Sequence, residues 1–224
     1  MSGRILAIGD IHGCDVALDV LLGEVQPVAA DTLVVLGDVV DRGPGSRQVI
    51  DRLLELQQMC RLVFLMGNHE EMMLDAIDSG GRLDDWLLFG GRETLESYGS
   101  GIRDVLPAHL EFLRSGLDYW ETDEEVFVHG SLEPDVPLDL QNTDTLRWER
   151  LTGEEPPHPS GRRVICGHTS QQSGLPWVFN GWACIDTCVY GGGYLTCLDV
   201  ETDQIYQADQ TGAFRGGVKL EELG

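Results

Sequence analysis

Residues 4–13 read RILAIGDIHG, a short apolar segment that ends in a glycine, an aspartate and a histidine. A similar order recurs at residues 32–43, TLVVLGDVVDRG, and at residues 61–70, RLVFLMGNHE. Each apolar segment is brief and rich in β-branched or large apolar residues, which predicts a buried strand. Between the segments, residues 17–25 and 46–59 carry apolar side chains at helical spacing. This order predicts a β-α-β-α-β unit, in which helices cover a parallel sheet.

The rest of the chain adds further helical and strand-like segments. Apolar residues at helical spacing predict helices at residues 70–77, 83–89, 93–98 and 108–113. Brief apolar runs predict strands at residues 119–121, 126–128, 164–166, 183–185, 194–198 and 204–206. Together these elements predict an α/β fold in which two packed mixed β-sheets are flanked by helices, with the βαβαβ unit at the N-terminus.

The chain reads as one domain over residues 1–210, because no linker rich in proline, glycine or serine divides it. Residues 138–159 are polar and contain prolines, which predicts a long surface loop. Residues 211–224 carry no strong apolar pattern, and we predict a flexible C-terminal tail there.

The composition is strongly acidic. With 15 basic and 38 acidic side chains, the formal net charge is −23. This charge predicts repulsion of nucleic acid and of anionic membranes, so we expect neither as a partner. The sequence has no signal-peptide pattern at its start, no apolar run near ~18 residues, and no Cys-x-x-Cys pair among its cysteines. We therefore predict reduced thiols and a cytoplasmic location.

Polar clusters follow all three N-terminal segments. Parallel neighbouring strands place their carboxyl ends along one sheet edge, where open α/β sheets build their sites. A single Gly-Asp pair is usually a plain turn, but three clusters of metal-ligand residue types in register favour a shared site. The residues that we expect to converge there are Asp10, His12, Asp38, Asp41, Arg42, Asn68 and His69.

Two later histidines extend this set of potential ligands. His129 and His168 follow short apolar runs in the sequences VFVHG and VICGHT. Carboxylate, amide and imidazole ligands without a thiolate suit Mn²⁺, Fe or Zn²⁺ better than Ca²⁺. Two ions ~3.5–4 Å apart need a bridging carboxylate, and they can clamp the attacking and leaving oxygens of a phosphoryl displacement. We therefore expect two divalent ions at this site.

The motifs GDIHG, GDVVDRG and GNHE resemble the signature of the phosphoprotein phosphatase family within the metallophosphoesterases. The EMM that follows GNHE, and the later WLL and GG at residues 86–91, are similar to the bacterial and phage branch of that family. The resemblance implies a calcineurin-like metallophosphoesterase sandwich and a dinuclear metal centre. It also implies hydrolysis of phosphoserine and phosphothreonine, with phosphotyrosine as a further candidate, by a hydroxide that bridges the metals.

The resemblance assigns the potential ligands to two ions, for which Mn²⁺ is favoured and Fe or Zn²⁺ are alternatives. Asp10 and His12 would bind the first ion, with Asp38 bridging. The second ion would be bound by Asn68, His129 and His168.

The resemblance also implies roles in catalysis. His69 would be the general acid, oriented by Asp41. Arg42 would hold the phosphate oxygens with its planar guanidinium, and Asn68 could donate a further hydrogen bond to them. Arg150 is the expected second phosphate-binding arginine, on the strength of a Trp-x-Arg element at residues 148–150. Other arginines in range are Arg147, Arg162 and Arg163.

Two other functions remain open at this point. A dinucleoside tetraphosphate hydrolase would use the same metals and His69, although the low number of cations favours phosphoproteins or small phosphomonoesters as substrates. A non-catalytic metal-binding module would be expected to lack some of the motif residues, and all are present. His109 and His158 stand outside every motif, and we interpret both as solvated side chains.

Overall fold

The computed structural model describes residues 3–99 and 101–220 of the 224-residue chain. Its strands, in chain order, are β1 (Ile5–Ile8), β2 (Thr32–Val35), β3 (Arg61–Phe64), β4 (Tyr119–Glu121), β5 (Glu125–Val128), β6 (Arg163–Cys166), β7 (Trp177–Phe179), β8 (Trp182–Cys184), β9 (Leu195–Asp199), β10 (Gln204–Ala208) and β11 (Phe214–Lys219). Its α-helices are α1 (Asp15–Val25), α2 (Ser46–Gln57), α3 (Asn68–Ser79), α4 (Leu83–Trp86), α5 (Arg92–Tyr98), α6 (Pro107–Arg114) and α7 (Thr143–Trp148).

Two mixed sheets form the centre of the fold. The first has six strands in the order β11-β10-β9-β1-β2-β3, and the second has five in the order β4-β5-β6-β8-β7. In the first sheet β1, β2 and β3 run parallel, while β9 is antiparallel to β1. In the second sheet β5, β6 and β8 run parallel. The predicted α/β fold of two mixed sheets flanked by helices is confirmed, including the βαβαβ unit.

Strands β1 and β2 of the first sheet are buried on both faces, and this explains their continuous apolar runs. Because side chains alternate along a strand, neighbouring residues of β1 enter different cores. Ala7 packs in a cluster shared with the second sheet, where it joins Phe127 and Ile165. Leu6 and Ile8 pack on the other face, in the cluster covered by helices. The N-terminal strands are thereby fixed from both sides.

Short elements separate the strands that meet at the site. A π-helical turn, Leu87–Gly91, joins α4 to α5, and Gly90 inside it has a φ of +112°. The longest helices, α2 and α3, have 12 residues each. Within the described residues, we find no helix with the length and apolar content of a membrane span.

The structure corrects two predictions about irregular segments. The expected loop at residues 138–159 contains a 3₁₀ turn, Leu138–Leu140, and the helix α7. The side chain of Asn142 begins α7 by accepting a hydrogen bond from the backbone N–H of Asp144 at 3.0 Å, an N-cap that the sequence carried. The expected flexible tail is wrong for residues 214–219, because β11 pairs along β10. Residues 221–224 of that tail lie outside the described part of the chain.

We predict opposite effects of alanine at two glycines. A Cβ at Gly9 would lie 2.4 Å from the carbonyl oxygen of Ile185, so Gly9→Ala must separate the ends of β1 and β8. We expect this overpacking to lower the free energy of unfolding by about 1–3 kcal/mol. Gly23 lies within α1, and a Cβ there would meet no atom within 4 Å. Gly23→Ala should therefore raise the free energy of unfolding by about 0.5–1 kcal/mol. Urea denaturation of both variants measures this. Equal effects would contradict the packing described here.

Candidate metal centre

The carboxyl ends of strands from both sheets meet at one place. Asp10 and Asp38 follow β1 and β2, and α3 begins directly after β3 with Asn68 and His69. From the second sheet, the residues after β5 and β6 add two histidines. The structure therefore brings together all six residues that the sequence nominated as metal ligands: Asp10, His12, Asp38, Asn68, His129 and His168.

Strained backbone turns aim these side chains into the site. Five of the ten non-glycine residues with positive φ in the described chain belong to the nominated set: His12, Asp38, Asp41, Arg42 and His168. Such conformations cost free energy and persist only where surrounding contacts enforce them. Here the carbonyl oxygen of Asp38 accepts the N–H of His12 at 2.8 Å, and that of Val39 accepts the N–H of Gly13 at 3.0 Å. The two strand-end turns hold each other in place.

Asp38 lies at the centre of the site. Its Oδ2 is 3.5 Å from Nε2 of His12, and its Oδ1 is 3.4 Å from Nε2 of His129. Two groups of potential ligand atoms, each with all its atoms within 4.8 Å of one another, share Asp38: one with His12 and His69, the other with His129 and His168. This is the arrangement that a bridging carboxylate requires.

Asp10 lies next to these groups rather than inside them. Its two carboxylate oxygens accept the backbone N–H of His168, at 3.2 and 3.1 Å. Asn68 belongs with the second group, because its Oδ1 lies 3.2 Å from Nε2 of His129. The two groups share Asp38, as a division of ligands between two positions requires, whereas Asp10, which was expected to join His12 and Asp38, belongs to neither group.

Backbone carbonyl groups fix the protonation of three imidazoles. One ring nitrogen of each lies within hydrogen-bonding distance of a carbonyl oxygen, which can only accept. That nitrogen therefore carries the hydrogen, and in the neutral ring the other nitrogen presents a lone pair, as metal-binding histidines do. The three contacts are His12 Nδ1 to Val40 O at 2.9 Å, His129 Nδ1 to Leu36 O at 2.8 Å, and His168 Nε2 to Trp148 O at 3.0 Å.

The ionisable groups of the site favour the binding of a cation. Burial raises the pKa of Asp10 well above its usual range, and the nearby carboxylates of Asp186 and Asp38 raise it further. Burial also lowers the pKa of His12 well below its ordinary value and that of His168 to about 4. The carboxylates of Asp10 and Asp38, together with the ring nitrogens of His12 and His168, form a largely buried set of oxygen and nitrogen acceptors. This donor set fits divalent transition metals.

Glu70 holds the central turn to the start of α3. Its carboxylate accepts the backbone N–H groups of Asp38 at 2.8 Å, Val39 at 2.8 Å and Gly67 at 3.0 Å. Burial raises the pKa of Glu70 to about 7, with a further contribution from Asp38, while the backbone donors oppose the rise. The sequence displayed Glu70 in the GNHE motif, but the motif alone gave it no role.

Asp41 connects His69 to a more distant part of the chain. Nδ1 of His69 lies 2.7 Å from Oδ2 of Asp41. Asp41 also accepts hydrogen bonds from Nε1 of Trp86 at 3.0 Å and from Oγ1 of Thr94 at 2.7 Å. Burial lowers the pKa of His69, but Asp38 and the hydrogen bond to Asp41 outweigh it, so the pKa lies above its ordinary value. Sequence analysis missed Trp86 and Thr94, and the only available signal was that a buried indole N–H needs a partner.

A pocket of about 190 Å³ opens beside these residues. Nη1 and Nη2 of Arg42 each lie 2.9 Å from an imidazole Nε2, of His12 and His69 respectively. The guanidinium also lies over the ring of Tyr190, 4.4 Å from its centroid. The residues lining the pocket are Asp38, Arg42, Asn68, His69, Met72, Phe89, Trp148, Arg150, His168, Ser170 and Tyr190.

A match to the family described as calcineurin-like phosphoesterases covers residues 3–192, which include every nominated site residue. The chain belongs to this family. Members of this family depend on a dinuclear metal centre. In this chain, the two ligand groups that share Asp38 are candidate positions for the two ions.

Several proteins of known description are similar to this chain. The symmetrical bis(5'-nucleosyl)-tetraphosphatase of Janthinobacterium sp. (strain Marseille) is 29% identical over 171 residues, which cover 67% of this chain and 56% of that protein. Serine/threonine-protein phosphatase 1 of Salmonella typhimurium is 39% identical over 89 residues, which cover 39% of each protein. The chain thus spans about half or less of the length of these relatives. The crystal structure of a cold-active protein tyrosine phosphatase has a TM-score of 0.70 at 18% identity, covering 100% of this chain and 81% of that one, and shows the same fold.

The four candidates for the second phosphate-binding arginine differ in whether they line the pocket. Arg150 lines the pocket together with Arg42. The three alternatives point elsewhere, because each pairs with carboxylates away from the pocket: Arg147 with Glu71 and Asp118, Arg162 with Glu121, and Arg163 with Asp203 and Glu125. Arg150 therefore stays the candidate.

One histidine outside the motifs was wrongly expected to be solvated. His109 is buried, with Nδ1 2.7 Å from the hydroxyl of Tyr98 and Nε2 3.1 Å from Oδ1 of Asp51. Its place on α6, facing α2, is decided by tertiary packing. His158 is partly exposed and contacts Oγ of Ser160 at 2.7 Å.

We predict that Glu70 stabilises the site more than its neighbour does. Glu70→Ala removes the acceptor of four buried N–H donors, since Val40 also donates to Glu70, at 3.3 Å, and each unsatisfied donor costs about 1–3 kcal/mol. We expect the free energy of unfolding of the metal-free protein, measured by urea denaturation, to fall by at least about 3 kcal/mol. The matched control is Glu71→Ala, which removes a partly exposed ion pair with Arg147 and should cost below about 1 kcal/mol. Equal losses would show that the Glu70 contacts stabilise the fold no more than the ion pair of Glu71 does.

Proposed function

We propose that this chain is a metal-dependent hydrolase of phosphate monoesters, and that its substrates are phosphoserine and phosphothreonine in proteins, with phosphotyrosine as a further candidate. The observation that carries the proposal is the position of the His69–Asp41 pair, whose imidazole Nε2 lies 4.0 Å from the shared carboxylate of Asp38. A potential proton donor and a potential phosphate ligand, Arg42, thus adjoin a pair of candidate metal positions.

The proposed ion ligands are Asp10, His12 and Asp38 for one ion, and Asp38, Asn68, His129 and His168 for the other. Bound divalent ions supply Lewis-acid stabilisation of the phosphoryl oxygens and activate a water molecule for attack. We propose Mn²⁺ as the native ion, with Fe and Zn²⁺ as alternatives, because the mixed oxygen and nitrogen donors suit all three.

The side chains around the pocket would bind the phosphoryl group and protonate the leaving oxygen. Arg42 and Arg150 bind the phosphoryl oxygens, for which a guanidinium offers paired N–H donors. The carboxylate of Asp41 accepts the Nδ1–H of His69 and favours its protonated form. Protonated His69 then donates its Nε2 proton to the leaving oxygen of the ester.

The dimensions of the pocket support a single phosphoryl group with its immediate attachment. Its volume of about 190 Å³ lies below the ~300–1,000 Å³ typical of sites that enclose a whole small molecule. The remainder of a peptide would lie over the rim, where Leu88 and Phe89 are 81% and 54% exposed. Similarity to the Salmonella serine/threonine phosphatase, and the EMM and WLL segments, support placement in the bacterial and phage phosphatase branch.

Dinucleoside tetraphosphates are the second candidate substrate. Three aromatic side chains line the pocket, Phe89, Trp148 and Tyr190, and such rings can stack on a nucleobase. The Janthinobacterium relative carries the name of that activity. Hydrolysis of a phosphoanhydride would use the same ions and the same His69.

The proposed surroundings of the protein follow from its thiols and its charge. We propose a reducing, cytoplasmic environment for the six cysteines, which are free. The net charge of −23 disfavours nucleic acid and anionic membranes as partners.

We predict that His69→Asn lowers kcat for para-nitrophenyl phosphate by a factor of roughly 10² or more at matched Mn²⁺ content, the size expected for general acid catalysis. His158→Asn is the control, and it should match wild type because His158 lies outside the pocket. In the same assay series, a phosphothreonine peptide should give a higher kcat/KM than diadenosine tetraphosphate. A higher kcat/KM for diadenosine tetraphosphate would contradict the proposed phosphoprotein substrate but leave the proposed role of His69 intact. An inert, Mn²⁺-loaded wild type on all these substrates would overturn the proposed function.

A further inference from the structure

Asp186 occupies the same position after its strand as the candidate ligand His168 does after the neighbouring one. Strands β6 and β8 run parallel with Cys166 opposite Cys184. His168 and Asp186 each come two residues after those cysteines. The register of the second sheet therefore delivers Asp186 to the same edge as the nominated ligands, although sequence analysis assigned it no role at the metal centre.

The end of strand β1 in the first sheet packs against the residue that precedes Asp186. Gly9 packs directly against the backbone of Ile185, since a Cβ there would lie 2.4 Å from the Ile185 carbonyl oxygen. The next residue on each strand end is an aspartate, Asp10 on one and Asp186 on the other. With Asp38, these make three carboxyl groups that are each at most 3% exposed.

The groups that hydrogen-bond to the carboxylate of Asp186 are uncharged. Its Oδ1 accepts the backbone N–H of Cys188 at 3.0 Å and the hydroxyl of Ser170 at 3.4 Å. Both donors are neutral, and a buried carboxylate without a cationic partner is costly. Burial raises the pKa of Asp186, and Asp186 in turn raises that of Asp10. A divalent cation at this edge would offset the negative charge that Asp10 and Asp186 add to the buried site.

A turn-forming role alone does not account for the residue. An aspartate that accepts the N–H two residues ahead forms an Asx turn, and asparagine forms the same turn with the same oxygen. Asparagine would also keep the contact to Ser170, and it would avoid a third buried negative charge beside Asp10 and Asp38. The negative charge itself therefore requires another explanation.

We propose that Asp186 is a third carboxylate of the metal centre, whose negative charge strengthens the binding of divalent cations at the Asp10–Asp38 side. This inference rests on the metal centre of the proposed function. Asp186 acts as a positioning residue, because it completes the charge of the site and no role in bond making is assigned to it. In the metal-free protein its charge opposes folding, and in the metal-bound protein it favours retention of the ions.

The test is Mn²⁺ binding to the full chain after removal of metals with a chelator, measured by isothermal titration calorimetry. Asp186→Asn keeps the turn and the size of the side chain while it removes the charge. We expect Asp186→Asn to bind Mn²⁺ about 10–100-fold more weakly than wild type, the usual effect of replacing residues that support metal ligands. We also expect the metal-free variant to melt about 2–4 °C above metal-free wild type, because the repulsion is relieved.

Asp199→Asn is the matched control. Asp199 is likewise a buried carboxylate, and it accepts the backbone N–H of Thr202 at 3.2 Å. It pairs with Leu6 near the start of β1, at the end of the sheet opposite the site. Its replacement should leave Mn²⁺ affinity within a factor of about two of wild type, because Leu6 and Asp10 are four residues apart on the chain, about 13 Å at ~3.3 Å per residue, which exceeds a Debye length of roughly 8 Å.

The outcomes separate this inference from the proposed function. If wild type binds no Mn²⁺, both are overturned. If wild type binds Mn²⁺ and Asp186→Asn binds it equally well, Asp186 only shapes the turn and this inference alone fails. Should Asp186→Asn not fold, Asp186→Ser keeps a short oxygen for the turn and carries the same expectation. A loss of affinity in Asp186→Asn or Asp186→Ser that Asp199→Asn does not share supports the proposal.

Discussion

The burial of the Asp38 carboxylate is the constraint on which the rest of the structure depends. Asp38 is 2% exposed, and both of its oxygens face imidazole nitrogens. A carboxylate in that position is tolerated only where cations or hydrogen-bond donors surround it. Burial alone raises the pKa of Asp38, yet His129 and His69 outweigh this and hold it well below its usual range. The chain must therefore bring groups from five strand ends to one point.

The scaffold achieves this through parallel strands in two sheets. Because β1, β2 and β3 run in the same direction, their carboxyl ends deliver one half of the site. The parallel strands β5 and β6 deliver the other half from across the inter-sheet core. The backbone that leaves β1, β2 and β6 is strained, and Glu70 and the hydrogen bonds between the first two turns hold the turns after β1 and β2 in place. Packing of both sheet faces thus supplies the rigidity that a charged site needs.

Much of the fold and the candidate site followed from local sequence patterns. Short apolar runs that ended in Gly-Asp or Gly-Asn located the N-terminal strands, and the parallel topology then implied that Asp10, Asp38 and Asn68 converge. What escaped prediction depends on distant contacts. Trp86 reaches Asp41 across 45 positions, and the burial of His109 requires α6 to pack near α2. Local pattern does not report such pairings.

The errors at the chain's irregular segments have a similar cause. Strand β11 contains two adjacent glycines and has an exposed edge, so its sequence lacks the apolar alternation that marks a strand. Its pairing with β10 stabilises it instead. In residues 138–159, proline and polar residues suggested a loop, whereas the N-cap at Asn142 allowed the short helix α7. Trp148 at the end of that helix then accepts a hydrogen bond from His168 through its carbonyl oxygen.

The most direct test of the central claim is a crystal structure of the Mn²⁺-soaked protein with anomalous scattering measured at the manganese edge. Our account predicts two anomalous peaks roughly 3.5–4 Å apart, with the Asp38 carboxylate between them. One peak should adjoin His12, and the other should adjoin His129 and His168. A single peak, or peaks that Asp38 does not contact, would contradict the claim that this buried carboxylate is shared by two metal ions.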